Sequence, residues 1–261
     1  MKGQASEHKS IEAKALSIGY KGVPIVSDID FSLNTGDFTS IIGINGVGKS
    51  TLLRTLAHMQ NHISGSVLVD GLEIGSYNSL DLATKMSVVL TEPLASKNLS
   101  VLELVMLGRQ PYTNWIGTLT EDDKIQVKNA IVNLDLESIQ HKKCYELSDG
   151  QLQRVMIARA LAQDTSIILL DEPTTHLDLF HKVRILKLLK EIAKNTQKTI
   201  IYTTHEIDMA IQLCDKMILL DGQNNPFGQP CELIENKSFE NIFPKDTVLF
   251  DPETGTFKIK K

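Results

Sequence analysis

The stretch Gly43-Ile-Asn-Gly-Val-Gly-Lys-Ser-Thr51 decides how this chain folds. It matches the pattern Gly-x-x-x-x-Gly-Lys-Ser/Thr through Gly43, Gly48, Lys49 and Ser50. Glycines let the backbone approach a polyphosphate closely, so several N–H groups and a helix start meet the anion. In this pattern the lysine reaches the β- and γ-phosphates, and the serine hydroxyl ligates Mg²⁺. The stretch therefore predicts a nucleoside triphosphate site.

The residues on either side of this loop predict a strand and a helix. Residues 38–42 are short and rich in β-branched side chains, and residues 51–57 place Leu52, Leu53 and Leu56 on one face. A phosphate loop requires this strand–loop–helix context. An ordinary glycine-rich turn explains neither the lysine nor the serine.

Two further apolar strands are predicted to end on polar residues. Residues 166–170 run into Asp171 and Glu172, and residues 199–204 run into His205. In open α/β sheets, ligands gather at the carboxyl ends of the strands. We therefore expect these three side chains to lie beside the phosphate loop.

The remaining sequence predicts a division into lobes. Residues 11–33 carry short alternating apolar segments around a turn at Tyr20, which indicates antiparallel strands. Residues from about 93 to 165 have helical periodicity and predict an inserted helical lobe. Residues 1–10 are expected to form a flexible leader, and residues 226–261 a short extension. The pattern alone leaves Tyr20 as either a packed strand residue or a face for adenine.

Composition limits the class of protein. The chain has 261 residues, 42% of them hydrophobic, a formal net charge of −5 and three widely separated cysteines. The negative charge argues against a general nucleic-acid binder. An odd number of dispersed cysteines suits a reducing cytosol. No apolar run approaches the roughly 20 residues that span a bilayer, so we expect a soluble chain.

Together these motifs resemble the ATP-binding-cassette (ABC) ATPases. The family signature corresponds to Leu-Ser-Asp-Gly-Gln at residues 147–151, and residues 173–178 are similar to the D-loop. Asp171 lies 122 residues after Lys49, a spacing that suits one cassette without a coiled-coil insertion. The resemblance covers residues 11–225. It implies an α/β P-loop NTPase with a RecA-like core, an N-terminal antiparallel β-subdomain and an inserted α-helical subdomain.

Within that family the chain looks most like ATPase subunits of importers for iron–siderophore, haem or cobalamin. The strings that carry this narrower resemblance are residues 107–112 and 171–178. Two alternatives stay open: a soluble ABC ATPase of the iron–sulfur cluster assembly type, and an ABC ATPase subunit for a different cargo.

The resemblance assigns roles by position, with ATP and Mg²⁺ as the implied ligands. Lys49, Glu172 and His205 would be catalytic, with Glu172 polarising the attacking water and His205 sensing the γ-phosphate. Ser50 and Asp171 would hold Mg²⁺. The nucleotide would be bound by Tyr20, Gly43, Asn45, Gly46, Gly48, Lys49, Ser50 and Thr51. Ser148, Gly150, Gln151 and Asp178 would contact the nucleotide bound to the second copy.

Two departures from the family pattern bear on the site. The family usually has a metal-contacting glutamine after the strand at residues 86–90, but Thr91 and Glu92 stand here. We expect Glu92 to supply the missing oxygen, with Thr91 as the alternative, because a hard cation accepts a carboxylate as readily as an amide. Asp149 replaces the usual signature glycine, and we expect it to face solvent or the partner.

The resemblance also implies partners and a location. The active unit would be a dimer of two copies with two composite sites. It would lie peripherally on the cytoplasmic side of the plasma (inner) membrane, bound to transmembrane permease subunits. A periplasmic or lipoprotein substrate-binding protein would take part indirectly, and no nucleic acid is expected.

Overall fold

The computed structural model of the chain describes residues 8–92, 94, 96–243 and 248–259. In chain order the strands are β1 (Lys9–Tyr20), β2 (Val23–Asn34), β3 (Phe38–Ile42), β4 (Ser64–Val69), β5 (Leu72–Glu73), β6 (Met86–Val89), β7 (Ile167–Leu170), β8 (Thr199–Thr203), β9 (Lys216–Leu219), β10 (Phe227–Gly228), β11 (Val248–Asp251) and β12 (Thr256–Ile259). The α-helices are α1 (Lys49–Leu56), α2 (Ser79–Lys85), α3 (Val101–Met106), α4 (Glu121–Asn133), α5 (Asp149–Ala162), α6 (Leu179–Thr196), α7 (Ile207–Leu213) and α8 (Pro230–Glu235).

A six-stranded sheet forms the centre of the molecule, in the order β10-β9-β3-β8-β7-β6. Strands β9, β3, β8, β7 and β6 are parallel, and β10 pairs antiparallel with β9. Phe38 on β3 stacks on Tyr202 on β8 with ring centroids 5.0 Å apart. Because parallel strands end at one edge, the residues that follow β3, β7 and β8 meet there. The prediction of a parallel α/β core is confirmed.

A second, antiparallel sheet packs over the phosphate-loop helix. Its order is β2-β1-β4-β5. The predicted face of α1, with Leu52, Leu53 and Leu56, is fully buried in a core shared by the two sheets. Burying three leucine side chains contributes about 1.5 to 3 kcal/mol each. The predicted antiparallel β-subdomain is therefore joined to the core through the helix that starts at the phosphate loop.

Helices α3, α4 and α5 pack on one another in the region predicted to be helical. A buried arginine joins them: Arg109 Nε donates to Asp123 Oδ1 at 2.8 Å, and its Nη1 donates to the carbonyl of Ala162 at 2.8 Å. Its guanidinium carbon lies 4.0 Å from the centroid of the Tyr112 ring. A Cβ atom at Gly108 would come within 2.2 Å of the Arg159 carbonyl oxygen, so only glycine fits there. The string at residues 107–112 thus fixes the geometry of this lobe.

Helix α6 is an element for which the sequence analysis offered no prediction. Asp178 caps it, accepting from the backbone N–H of His181 at 2.9 Å. Its buried side chains are Ile185, Leu186, Leu189 and Ala193, which recur at helical spacing. Among the residues the structure describes, no helix is both long and apolar enough to cross a bilayer.

Two predicted boundaries are corrected by the structure. Strand β1 begins at Lys9, and the buried Ser10 donates its hydroxyl to the carbonyl of Leu33 at 3.2 Å, so the leader does not extend to residue 10. Residues 1–7 lie outside the described part of the chain. Residues 227–228 form β10 and belong to the central sheet, so the extension begins after Gly228. The extension contains α8 and a β11–β12 hairpin that turns at residues 252–255.

Candidate nucleotide-binding site

The phosphate loop connects β3 to α1 with backbone angles that favour glycine. Gly48 caps α1 at φ 116°, and Gly46 has φ 79°. A Cβ atom at Gly43 would lie 2.6 Å from the carbonyl oxygen of Leu220, so a side chain would force the loop away from the sheet. Asn45 and Gly46 are exposed at the loop tip. The loop ends in a helix start, where N–H groups without intrahelical partners favour an anion.

Lys49 lies within the loop and is almost fully buried. Its Nζ donates to the carbonyls of Gly43 at 2.9 Å and Ile44 at 3.1 Å. Burial lowers the pKa of Lys49, and the charges of Glu172 and Asp171 oppose that shift. The ammonium group is therefore held at the loop by backbone carbonyls and nearby carboxylates.

Asp171 follows β7, and its carboxylate accepts hydrogen bonds from three hydroxyl groups. Its Oδ1 accepts from Ser50 Oγ at 3.0 Å and from Thr203 Oγ1 at 2.7 Å. Its Oδ2 accepts from Thr91 Oγ1 at 3.2 Å. Asp171 is 1% exposed. Residues from the phosphate-loop helix and from the ends of β6, β7 and β8 thus converge on one acid, as the shared sheet edge predicted.

Glu172 is held in an unusual backbone conformation by its neighbours. Its φ is 46°, a left-handed value that costs a non-glycine residue of order 1–3 kcal/mol. Its backbone N–H donates to Thr203 Oγ1 at 2.8 Å, and its Oε2 accepts from Thr175 Oγ1 at 3.1 Å. Its Oε1 lies 2.5 Å from His205 Nε2. The turn that directs this carboxylate is therefore fixed by two threonines and a histidine.

His205 bridges the lysine and the glutamate through its two ring nitrogens. Its Nδ1 lies 3.4 Å from Lys49 Nζ, and its Nε2 faces Glu172. An ammonium group only donates, so this network assigns Nδ1 as the acceptor and places the ring proton on Nε2. The three residues with predicted catalytic roles form one hydrogen-bonded chain.

Glu92 does not reach this cluster. Its Oε1 accepts from Arg54 Nη2 at 2.8 Å, and its side chain is 62% exposed. The structure does not bring Glu92 to Asp171, where the expectation placed its oxygen, and it is the hydroxyl of Thr91 that contacts Asp171. Both residues lie beyond the end of β6, in a bend, and of the two side chains only that of Thr91 is directed at Asp171.

Tyr20 is the last residue of β1, next to the phosphate-loop helix. Its hydroxyl is 3.1 Å from Thr51 Oγ1, and its side chain is 49% exposed. The ring is therefore accessible rather than packed in the β-lobe core. The sequence pattern left Tyr20 as either a packed strand residue or a face for adenine. Its exposure beside the phosphate loop favours the second alternative.

The signature residues line a different surface of the molecule. Ser148 caps α5, its Oγ accepting from Gln151 N–H at 3.3 Å, and Gln151 Oε1 accepts from Ser148 N–H at 3.1 Å. A Cβ atom at Gly150 would lie 2.8 Å from a side-chain atom of Leu177, so the start of α5 packs closely on the D-loop. Asp149 is exposed, as predicted.

A cavity of about 630 Å³ contains the signature and the D-loop together. Its described lining includes Asp149, His176, Asp178 and His181 but neither Lys49 nor Glu172. Hydrogen bonds from the backbone and side chain of His181 lower the pKa of Asp178. Within one chain the predicted nucleotide residues therefore form two separate sets, one on the phosphate loop and one in this cavity.

Sequence reasoning missed two residues that hold the carboxylates. Thr203 contacts Asp171 through its hydroxyl and supports the backbone of Glu172, while Thr175 contacts the Glu172 carboxylate. The only sequence signal for Thr203 was its position at the end of an apolar strand, in a chain where another apolar strand ends in Asp171 and Glu172. That signal is too common to single out a residue without the strand order.

Comparisons with known proteins agree with this geometry. The sequence profile of the family described as ABC transporter matches residues 26–175. The chain is 36% identical over 250 residues to the petrobactin import ATP-binding protein FpuD of Bacillus anthracis. The alignment covers 95% of this chain and 92% of that protein. It is also 36% identical over 248 residues to the iron(3+)-hydroxamate import ATP-binding protein FhuC of Bacillus subtilis, covering 94% and 92%.

Solved structures give the same result. A metal-chelate type ABC transporter in an inward-facing conformation is 30% identical, with a TM-score of 0.78 over 90% of this chain and 89% of that one. A dimeric ATP-binding cassette in a post-hydrolysis state, bound to ADP and phosphate, is 28% identical. Its TM-score is 0.74 over 84% of this chain and 98% of that one.

Proposed function

The chain belongs to the ABC transporter ATPases, and we propose that it hydrolyses ATP to drive import of a metal chelate through a membrane permease. The observation that carries the ATPase assignment is the chain Lys49–His205–Glu172 beside Asp171. An iron–siderophore cargo is supported by the names of relatives that import petrobactin and iron(3+)-hydroxamate, and cobalamin by a relative named for cobalamin import; haem remains in the proposed class through the family resemblance alone. These relatives favour import over the alternative of iron–sulfur cluster assembly.

The residues around Asp171 suit a Mg²⁺ ion. Hydroxyls of Ser50 and Thr91 and the Asp171 carboxylate provide oxygen atoms alone, which a hard cation prefers. Ser50 would ligate the ion directly, and Asp171 would hold it mostly through water. When bound, Mg²⁺ neutralises phosphate charge. In this proposal Thr91 takes the place of the glutamine usual in the family.

The phosphate loop and Tyr20 would bind the nucleotide itself. Lys49 would exchange its contacts with two backbone carbonyls for the β- and γ-phosphates, which are stronger, charged acceptors. The loop amides from residue 43 to residue 51 would surround the same phosphates. The exposed ring of Tyr20 would stack on adenine.

Glu172 and His205 would act on the attacking water and the γ-phosphate. Glu172 is directed by Thr203 and Thr175, so its carboxylate is positioned to accept a hydrogen bond from water. His205 lies between Glu172 and Lys49, and its Nε2–H would exchange its contact with Glu172 for a γ-phosphate oxygen. Most of the rate enhancement would come from positioning and charge, as in other phosphoryl transfers.

A second copy would complete each site. Ser148, Gly150 and Gln151 lie in a cavity separate from Lys49, so they would meet the nucleotide of the partner. Asp178 shares that cavity and would communicate between the two sites. ATP would then favour the closed dimer, because each γ-phosphate is bound by two chains.

Closing and opening of this dimer would act on the permease. The proposal places two copies peripherally on the cytoplasmic face of the inner membrane, bound to two membrane subunits. A substrate-binding protein would deliver the chelate from the other side. The chain itself would bind no cargo.

Hydrolysis by purified wild type and Glu172→Gln tests the ATPase assignment. We expect the variant to lose about 10³-fold in kcat while still forming an ATP-dependent dimer. Glu191→Gln, on the exposed side of α6, is the matched control and should hydrolyse ATP like wild type. Full turnover by Glu172→Gln would refute the role proposed for Glu172, and a wild type that hydrolyses no ATP would refute the ATPase assignment.

A separate experiment tests the cargo. Cells without this chain should lose uptake of a radiolabelled ferric siderophore, and wild type but not Glu172→Gln should restore it. Unchanged uptake of ferric siderophore, haem and cobalamin in such cells would refute import of a metal chelate while leaving the ATPase assignment intact.

A further inference from the structure

Glu206 follows His205 directly, and its carboxylate contacts two other elements. Its Oε1 forms an ion pair with Lys182 Nζ on α6. Its Oε2 lies 3.5 Å from the hydroxyl of Thr174, a buried residue two positions after Glu172. The two side chains of the ion pair are each 24% exposed, so solvent and salt screen them less than a surface pair.

Local helix preferences favour the negative charge of Glu206 at a helix start, but they account neither for the positive charge of Lys182 nor for the direction of the Glu206 side chain. Lys182 is the fourth residue of α6, where a cation opposes the helix dipole. Glu206 is the N-cap of α7, yet its side chain caps no backbone N–H. Each charge is compensated by the other across the two helix starts. The pair is thus a tertiary contact between the segment that carries His205 and the helix that begins at the D-loop.

The start of α6 and the segment with His205 both contact residues of the proposed site. Lys182 donates its backbone N–H to the carbonyl of Asp178 at 2.9 Å, and Asp178 lines the cavity that contains the signature and the D-loop. On the other side, the ring of His205 contacts Glu172. A displacement of His205 therefore pulls on Glu206, then on Lys182 and the first turn of α6.

We propose that Glu206 and Lys182 are positioning residues. They hold His205 against Glu172 and link its position to the D-loop, which ends at Asp178. This inference rests on the proposed ATPase function. In the described part of the chain, the two side chains of the pair contact none of the nucleotide-binding or metal-binding residues proposed above, and the one link to them is the backbone hydrogen bond from Lys182 to Asp178. The pair therefore acts through His205 and the start of α6. Its loss should slow the chemical step more than it weakens ATP binding.

Steady-state hydrolysis by the whole chain tests this inference in two backgrounds. We expect Glu206→Gln and Lys182→Gln each to lower kcat about tenfold and to change KM for ATP less than about twofold. In a His205→Ala background, measured under single-turnover conditions, Glu206→Gln should cause no further loss. The reversed pair, Glu206→Lys with Lys182→Glu, should recover most of the lost rate.

Lys198→Gln is the matched control. Lys198 forms an ion pair with Asp164 at 2.7 Å, in which the lysine is 15% and the aspartate 42% exposed. It lies just before the first residue of β8, at the opposite end of the strand from His205. Its removal should leave kcat unchanged. Circular dichroism melting checks folding, and if Glu206→Gln is unfolded, Lys182→Gln decides the question in the same assays.

Three results would overturn the inference: wild-type kcat in both single variants, an equal loss with and without His205, or a loss confined to KM. A wild-type chain that does not hydrolyse ATP at all would instead overturn the proposed function. The two failures are thus distinguished by whether the unmodified protein turns over.

Discussion

His205 Nε2 lies 2.5 Å from Glu172 Oε1, so the residue at the end of β8 contacts the acid at the end of β7. The contact joins the proposed γ-phosphate sensor to the proposed water-positioning group. Removing the imidazole leaves Glu172 with its two threonine contacts and removes the donor between Glu172 and Lys49.

His205→Ala should therefore lower kcat for ATP by about 100-fold while ATP binding changes less than about threefold. Rapid-quench hydrolysis and fluorescent-nucleotide titration measure the two quantities. His141→Ala, an exposed histidine after α4, is the control and should match wild type. Near-normal kcat in His205→Ala would contradict the role assigned to this contact.

Thr91 and Glu92 should differ in their effect on the metal requirement. Thr91→Val removes the hydroxyl that contacts Asp171 and should raise the Mg²⁺ concentration needed for half-maximal hydrolysis by about tenfold. Glu92→Gln only alters an exposed pair with Arg54 and should shift it less than about twofold. A Mg²⁺ titration of hydrolysis checks both. The reverse order of effects would restore Glu92 as the metal-facing residue.

Thr203 should matter for the rate beyond its effect on stability. Thr203→Val removes the hydroxyl that supports both Asp171 and the backbone of Glu172. We expect kcat to fall about 10- to 100-fold. Thr199→Val, at the other end of β8, also loses a buried hydroxyl with two contacts and is the matched control. Both should cost about 1 kcal/mol of unfolding free energy, and equal kcat values would contradict the prediction.

The buried pair Arg109–Asp123 should stabilise the helical lobe in a pH-dependent way. Burial raises the pKa of Asp123, but hydrogen bonds from Thr120 and Arg109 outweigh it, so its pKa is lowered. A carboxylate with a lowered pKa stabilises the fold above its unfolded-state pKa. That contribution is lost as the pH falls through the lowered value.

Arg109→Met should cost about 3 to 5 kcal/mol of unfolding free energy at neutral pH because it leaves Asp123 charged and buried. Denaturant unfolding from neutral to acid pH measures this, and the difference from wild type should shrink as the pH falls. Lys124→Met, which removes an exposed pair with Glu121, is the control and should change stability little. A pH-independent difference would contradict the prediction.

The three cysteines should react at different rates. Burial raises the pKa of Cys144, and burial raises the pKa of Cys214 to about 11, whereas Cys231 is exposed. Since the thiolate is the reactive form, a chromogenic disulfide reagent at pH 8 should modify one thiol quickly in the native protein and three after denaturation. Cys231→Ser should abolish the fast phase. Two fast native thiols would contradict this.

The sequence by itself determined those parts of the protein whose conformation depends on residues adjacent in the chain. The phosphate loop, its strand and its helix are local, because glycine backbone freedom, β-branching and leucine spacing act within a few positions. The apolar runs that end in Asp171 and His205 predicted a shared sheet edge for the same reason. These signals located Lys49, Asp171, Glu172 and His205 before any strand was paired.

The tertiary structure decided which of these residues touch. The proposal of Thr91 over Glu92 rests on which side chain contacts Asp171, and the pattern of two adjacent polar residues carries no such direction. Thr203 gained a role because β8 lies between β3 and β7. Glu206 and Lys182, which are 24 residues apart in sequence, join the starts of two helices. Contacts of this kind are set by strand order and helix packing, which no local preference encodes.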